Sequence, residues 1–192
     1  MSAIFYMLCG ALLVLVLNIF RIRYATFFAQ SPQDYMGDNM VFDLRHHLNG
    51  PIVCEGVIYG PFARVSSRFV GKFDCEWTGN QGVMKEQFNY DDGSVQNREW
   101  NLTIGEKGAI KATAPDVIGQ GIGVQAGSSV QLKYRIRMPD SAGGHILDIV
   151  DWMYLAPNGN IVNRSQFRKY GFQVAELLAT MRPVTSNMKD VG

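Results

Sequence analysis

An unbroken apolar segment opens this chain. Residues 3–20 (AIFYMLCGALLVLVLNIF) carry no charged side chain, and Arg21 and Arg23 follow almost directly. As an α-helix this run would extend about 27 Å, close to the ~30 Å hydrocarbon thickness of a bilayer. A cleaved secretory signal is disfavoured, because no basic residue precedes the run and no small-residue cleavage site follows it. The pattern predicts a retained single-span anchor, with an amphipathic or core helix as the alternative.

The residues after the apolar run predict how the anchor is oriented. Lys and Arg close to a membrane span tend to remain on the cytoplasmic side. Since Arg21 and Arg23 follow the run, we expect the rest of the protein to face the cytoplasm. Tyr24, Phe27 and Phe28 are expected either to extend the anchor as interfacial aromatic residues or to form a short packed helix.

The rest of the chain has the length of one domain and a balanced charge. Roughly 160 residues follow position 30, enough to bury about 70% of the surface of the unfolded chain. The 18 basic and 17 acidic residues give a net charge of +1, so no nucleic-acid partner is expected. Cys9, Cys54 and Cys75 fit neither a disulfide framework nor a zinc cluster. Cys54 and Cys75 are predicted to be small buried side chains.

Polar and apolar residues alternate with a period of two through most of this domain. Between positions 64 and 77 one set of alternate residues is apolar or small and the other is mostly charged. The alternation recurs at 84–90, 96–104 and 130–138, and hairpin-type sequences lie at 91–94 and 157–160. Residues 172–181 suit a strand or a helix, and we favour a closing strand. The pattern predicts nine or ten antiparallel strands.

Such a meander leaves two unpaired edges unless it closes. The predicted fold class is therefore all-β, with a single N-terminal transmembrane helix before an up-and-down β-barrel. The expected boundaries are 1–30 for the anchor and interfacial segment, 31–41 for a linker, 42–183 for the barrel and 184–192 for a C-terminal tail.

Several motifs in the barrel region resemble a bacterial family called domain of unknown function 3833. They include Phe42-Asp43-Leu44-Arg45, Trp77-Thr78-Gly79-Asn80, Phe88-Asn89-Tyr90-Asp91-Asp92-Gly93, Asp151-Trp152-Met153-Tyr154-Leu155, Asn163-Arg164 and Lys169-Tyr170-Gly171-Phe172. The resemblance implies a lipocalin-like, calycin-related barrel and brings no established activity.

The resemblance also bears on location. Many family members resemble lipoproteins, in which a lipid-carrying cysteine ends the apolar segment, whereas Cys9 lies early in the run here. We therefore expect a single-pass protein of the bacterial inner membrane, with its barrel in the cytoplasm rather than in the periplasm.

Two motifs that suggest chemistry are better explained by structure. Gly119, Gly121 and Gly123 lack the following helix and the lysine of a phosphate-binding loop. They predict instead a strand with one bare face, which allows curvature or leaves room for a ligand. The adjacent His46 and His47 do not have metal-ligand spacing. No metal, cofactor or catalytic residue is predicted.

Buried polar and aromatic residues supply the candidate site. Asp151 lies on an apolar face, where a carboxylate costs several kcal/mol unless it is paired. Arg164 and Arg98 are the candidate partners, and the predicted structural ion pair is Asp151–Arg164. Arg164 is otherwise a handle for an acidic head group. Aromatic side chains either fill the barrel or line a cavity. The predicted ligand-binding residues are Phe69, Phe73, Trp100, Tyr134, Trp152 and Arg164.

These features favour a binding protein that is not an enzyme. The expected function is to bind or shuttle an apolar, lipid-like molecule, such as a fatty acyl chain or pigment, beside the bilayer. An alternative is an accessory subunit of an inner-membrane complex, which would dock through its helix (Ala3, Gly10, Ala11), the barrel surface and the tail from position 183. A lipid-modifying enzyme is the third hypothesis.

Overall fold

The computed structural model describes residues 2–140 and 143–184, so most of the proposed C-terminal tail lies outside the described residues. The chain begins with a helix, continues along the outside of a barrel and then forms the barrel itself. Its helices and strands are α1 (Ser2–Tyr24), α2 (Leu44–His47), β1 (Gly50–Tyr59), β2 (Val65–Thr78), β3 (Gln81–Tyr90), β4 (Val95–Ile104), β5 (Ala109–Thr113), β6 (Gly121–Ala126), β7 (Ser129–Arg137), β8 (Ile146–Leu155), β9 (Ile161–Lys169) and β10 (Phe172–Pro183).

The strands form one closed antiparallel barrel. Each strand pairs with the next along the chain, and β10 returns to pair with β1, so the ten strands leave no edge. The predicted all-β class, an up-and-down barrel after an apolar N-terminal helix, is confirmed. The ambiguous segment 172–181 is a strand within β10, because only an extended chain can hydrogen-bond to β9 and β1 at once.

Alternation along each strand separates the interior of the barrel from its surface. On β7, Leu132, Tyr134 and Ile136 are buried, whereas Lys133 and Arg135 between them are exposed. Burial of each large apolar side chain contributes about 1.5–3 kcal/mol. A slip of one residue in register would exchange these two sets, so the hydrophobic pattern fixes the register.

The short helix α2 covers one end of the barrel, which we call the closed end. Asp43 caps α2 by accepting a hydrogen bond from the backbone N–H of Arg45 at 3.0 Å. Leu44 and Leu48 are both 2% exposed, and the indole Nε1 of Trp77 donates to the carbonyl oxygen of Leu48 at 2.7 Å. At the opposite end, which we call the mouth, the turns 60–64, 91–94 and 170–171 join the strands.

Residues 27–42, which include the predicted linker at 31–41, lie along the outer wall of the barrel. The side-chain oxygen Oε1 of Gln30 accepts hydrogen bonds from the hydroxyls of Tyr35 and Tyr154, both at 2.7 Å. The Tyr35 ring lies 5.5 Å from that of Trp152. Phe27 is 7% exposed in a short 3-10 turn, which agrees with the packed alternative. These contacts tie the segment to β8.

Helix α1 is long and apolar enough to cross a membrane. Its stretch Ala3–Tyr24 has a mean hydropathy of 2.5 and none of it is buried within the structure. An exposed apolar helix of this length requires an apolar environment, since water does not solvate it favourably. Its length and composition fit a membrane anchor and also a signal sequence.

Candidate ligand-binding cavity

The barrel encloses a cavity of about 120 Å³. An apolar cavity of about 150 Å³ is large enough to hold benzene, so this space is the size of one ring or a short chain. Most of its wall is apolar, and every strand except β6 contributes at least one side chain. The wall includes Phe69, Phe73, Phe88, Trp100, Leu132 and Phe167.

Four of the six predicted ligand-binding residues line this cavity. They are Phe69, Phe73, Trp100 and Tyr134, each at most 9% exposed. They face inward because each occupies an inward position of the alternation on β2, β4 or β7. Their contact with a ligand stays a prediction.

Trp152 and Arg164 lie on the outer wall, so the prediction that they face the interior is wrong. They sit opposite each other on β8 and β9, one residue out of phase with the inward-facing Asp151 and Asn163. Trp152 is 0% exposed because residues 27–42, including Tyr35, cover it from outside. Burial in this barrel therefore does not identify the interior face.

The predicted ion pair between Asp151 and Arg164 is also wrong. The Nε of Arg164 pairs with Oε1 of Glu176 at 2.8 Å on the outer wall. Asp151 faces the cavity, where its Oδ1 accepts hydrogen bonds from the Ser165 hydroxyl at 2.8 Å and from the Asn163 amide. Burial raises the pKa of Asp151 more than these hydrogen bonds lower it.

Arg98, the other candidate partner of Asp151, is the cation of the cavity wall. Its Nε pairs with Oδ1 of Asp116 at 3.0 Å, and its guanidinium carbon lies 4.1 Å from the centre of the Trp100 ring. Its Nη2 is buried and has no hydrogen-bond partner among the residues that the structure describes. A buried donor left without an acceptor costs about 1–3 kcal/mol. Arg98 thus retains an unused donor at the cavity.

Glu86, on β3, lies opposite Arg98 of β4. It was not predicted as a site residue. Its side chain is buried, with 8% of the residue exposed. Burial raises the pKa of Glu86 from 4.5 to about 8, the charge of Asp151 adds to this increase, and Arg98 opposes it. At pH 7 the carboxyl is therefore mostly protonated. Glu86 could have been found by the pattern that identified Asp151, which is a carboxylate at an inward position of an alternating strand.

The polar side of the cavity can donate hydrogen bonds to a bound molecule. Arg98 has an unused N–H, and a protonated Glu86 carries an O–H. Burial raises the pKa of the Cys75 thiol to about 12 and raises that of Cys54 as well, so both remain protonated and weakly nucleophilic. Among the described residues, no group of three or more His, Cys, Asp or Glu side chains could hold a metal ion.

The Gly119–Gly123 motif supplies close packing in place of extra room. Gly119 lies before β6 in a turn with φ +74°, and only Gly121 and Gly123 belong to the strand. A Cβ on Gly123 would lie 2.2 Å from the carbonyl oxygen of Gln131 and 2.9 Å from Cδ1 of Leu132. The missing side chains therefore let β7 approach β6.

A closed ten-stranded antiparallel barrel around a small cavity defines a lipocalin-like protein. The chain belongs to the family described as "Protein of unknown function (DUF3833)", whose model matches residues 22–183. The resemblance read from its motifs is confirmed. A comparison with curated proteins finds no match.

Several solved structures share this fold, among them the following two. One is the S-type phycobiliprotein lyase CPES from Guillardia theta, with a TM-score of 0.56 and 10% identity over 82% of this chain and 99% of the lyase. The other is Rv2717c from M. tuberculosis, with a TM-score of 0.53 and 14% identity over 77% of this chain and all (100%) of that protein. At such identities the likeness shows the fold alone.

The lyase nevertheless corrects one expectation. The prediction that this chain is not an enzyme relied on the absence of recognisable catalytic motifs. It is wrong, because a protein described as a lyase has this barrel fold. Enzymes are built on this fold as well as binding proteins, and a function has to be argued from the side chains of the cavity.

Proposed function

We propose that the barrel binds a small apolar molecule with a hydrogen-bond-accepting end, such as a carbonyl or carboxylate. The observation that carries the proposal is the buried Nη2 of Arg98, which lacks an acceptor at the edge of an aromatic cavity. An acceptor oxygen on the ligand would satisfy this donor. The ring or chain of the ligand would pack against Phe73, Trp100 and Tyr134.

The size of the cavity defines how such a ligand fits. A volume of about 120 Å³ holds a ring or a short chain, so a full fatty acyl chain requires side chains to move. Met84 and Met153 line the cavity, and unbranched methionine side chains adapt readily to a new shape. The proposed ligand therefore places its polar end beside Arg98 and displaces flexible side chains if it is longer.

We also propose that helix α1 anchors this barrel at a bacterial inner membrane. The helix is apolar and unburied over the length that a bilayer requires. Arg21 and Arg23 at its end favour a barrel on the cytoplasmic side. Apolar molecules concentrate in the bilayer, so the anchor keeps the cavity beside its source of ligand.

Native mass spectrometry of the full chain, purified in detergent, tests the binding proposal. We expect an additional small-molecule mass on the wild type and its loss in Arg98→Met. Arg135→Met is the matched control, because Arg135 forms an exposed pair with Asp148 on the outer face of β7. A wild type without bound mass, or an Arg98→Met variant that retains it fully, would contradict the proposal.

Proton transfer on the bound molecule is a second candidate function. Two carboxyl groups with raised pKa values, Glu86 and Asp151, line one apolar cavity, and a neutral carboxylic acid there can act as a general acid. A Glu86→Gln variant would then bind the unreacted molecule. Proton transfer that isomerises the molecule leaves its mass unchanged, so the bound molecule is extracted and its absorption spectrum and chromatographic retention are compared. A difference between this variant and the wild type would support catalysis, whereas identical molecules would count against it.

A further inference from the structure

Three large apolar residues are exposed at the mouth of the barrel. Phe62 is 87% exposed, Tyr170 is 88% exposed and Phe172 is 76% exposed. Phe62 lies in the turn after β1, and the other two lie where β9 turns into β10. Because β1 and β10 are neighbours in the barrel, these residues share one side of the mouth. We call them the mouth rim.

Helix α1 reaches the barrel next to this rim. The guanidinium carbon of Arg168 lies 3.6 Å from the centre of the Phe28 ring, and Arg168 is the second-last residue of β9. Tyr24, the last residue of α1, is four residues before Phe28, so they are at most about 14 Å apart. The closed end, where β9 begins at Ile161, is about 23 Å from Arg168 along the strand.

The connection between the helix and the barrel is fixed by side-chain contacts. The guanidinium carbon of Arg164 lies 5.0 Å from the centre of the Phe27 ring. Gln30 joins the hydroxyls of Tyr35 and Tyr154 at 2.7 Å each. A segment held at both points along β8 and β9 restricts rotation of the barrel about the end of α1. The mouth therefore stays on the side of the barrel where α1 ends.

We propose that the mouth rim docks on the surface of the bilayer that α1 spans, so that this end of the barrel faces lipid. Exposed aromatic side chains favour the interface between lipid and water, where their rings are partly buried. Lys169 and Arg64 beside the rim supply cations for lipid phosphates, and Nζ of Lys169 lies 5.6 Å from the centre of the Tyr170 ring. The inference rests on the proposed role of α1 as an anchor and not on the identity of the ligand.

Depth-dependent fluorescence quenching tests this docking. The full chain with Cys9→Ala is reconstituted in phosphatidylcholine–phosphatidylglycerol vesicles, with or without nitroxide-labelled lipid. A nitrobenzoxadiazole probe is attached at Phe62→Cys or Tyr170→Cys. Cys54 and Cys75 are each 2% exposed and stay unlabelled. Asn158→Cys, in the exposed turn at the closed end, is the matched control.

We expect nitroxide lipid to quench both rim probes at least about threefold more strongly than the probe at position 158. Equal quenching at all three positions would overturn the docking. Extraction with alkaline carbonate is measured on the same vesicles and reports the anchor separately. A chain that resists extraction but has unquenched rim probes disproves the docking alone, whereas a chain that is extracted disproves the anchor and the docking that depends on it.

Discussion

Arg98 stacks on Trp100, with its guanidinium carbon 4.1 Å from the centre of the indole ring. The two residues are two positions apart on β4, so both point inward. The same guanidinium pairs with Asp116, which lies outside the regular strands in the segment between β5 and β6. One side chain thus links the cavity to the irregular part of the barrel wall. A change at Arg98 should affect both stability and binding.

The Arg98–Asp116 pair should contribute measurably to stability. Its side chains are only 15% and 29% exposed, so solvent screens their attraction weakly. In a double-mutant cycle of Arg98→Met and Asp116→Asn, we expect a coupling free energy of about 1–3 kcal/mol. Urea unfolding followed by tryptophan fluorescence measures each corner of the cycle.

The Arg135–Asp148 pair is the matched control for this cycle. It joins the same residue types at 3.2 Å, but its side chains are 58% and 62% exposed. Its coupling free energy should therefore stay below about 0.5 kcal/mol. Equal coupling free energies for the two pairs would show that burial does not strengthen the Arg98–Asp116 pair.

Glu86 should make the protein less stable as the pH rises. The carboxyl ionises near pH 4.5 in the unfolded chain and near pH 8 in the folded one. Between these values the unfolded chain loses a proton that the folded chain keeps, so the free energy of unfolding falls with pH and levels off above about pH 8. The loss attributable to Glu86 is on the order of a few kcal/mol.

Urea unfolding at pH 5, 7 and 9 measures this effect. Glu86→Gln removes the titrating group, so its stability relative to the wild type should rise from pH 5 to pH 9. Glu99→Gln, on the exposed face of β4, is the control for replacing a glutamate by glutamine. Parallel profiles for wild type and Glu86→Gln would show that Glu86 ionises alike in both states.

Alternation along the strands predicted the barrel and most of its interior, and its limits are equally clear. It placed Tyr134 and Asp151 on inward faces correctly. It did not reveal that residues 27–42 cover the outer face of β8, which buries Trp152 from outside. Asp116 was missed as the partner of Arg98, because a period of two carries no information about side chains in irregular segments. These contacts depend on tertiary packing between distant parts of the chain.

Gly123 should not tolerate a side chain. A Cβ at this position would lie 2.2 Å from the carbonyl oxygen of Gln131 on β7, and backbone cannot move away without breaking the β6–β7 pairing. We expect Gly123→Ala to lower the free energy of unfolding by about 1–3 kcal/mol. Gly37→Ala is the control, since nothing lies within 4 Å of its Cβ position. Equal stabilities of both variants, measured by urea unfolding, would refute the close approach.

The hydrogen bond from Tyr154 to Gln30 should hold residues 27–42 against the barrel. Tyr154→Phe removes the donor at 2.7 Å while keeping the ring that stacks on Trp152, and should weaken the attachment by about 1 kcal/mol. Limited proteolysis between positions 30 and 40 should become roughly fivefold faster, because cleavage follows the population of the detached segment. Tyr170→Phe, at the exposed mouth rim, should leave this rate unchanged.

The same hydrogen bond should also affect how the barrel is oriented at the membrane, because the segment it holds connects α1 to the barrel. Tyr154→Phe should therefore reduce the quenching of the rim probes by nitroxide lipid. Full quenching in this variant would show that the attachment does not set the orientation of the barrel.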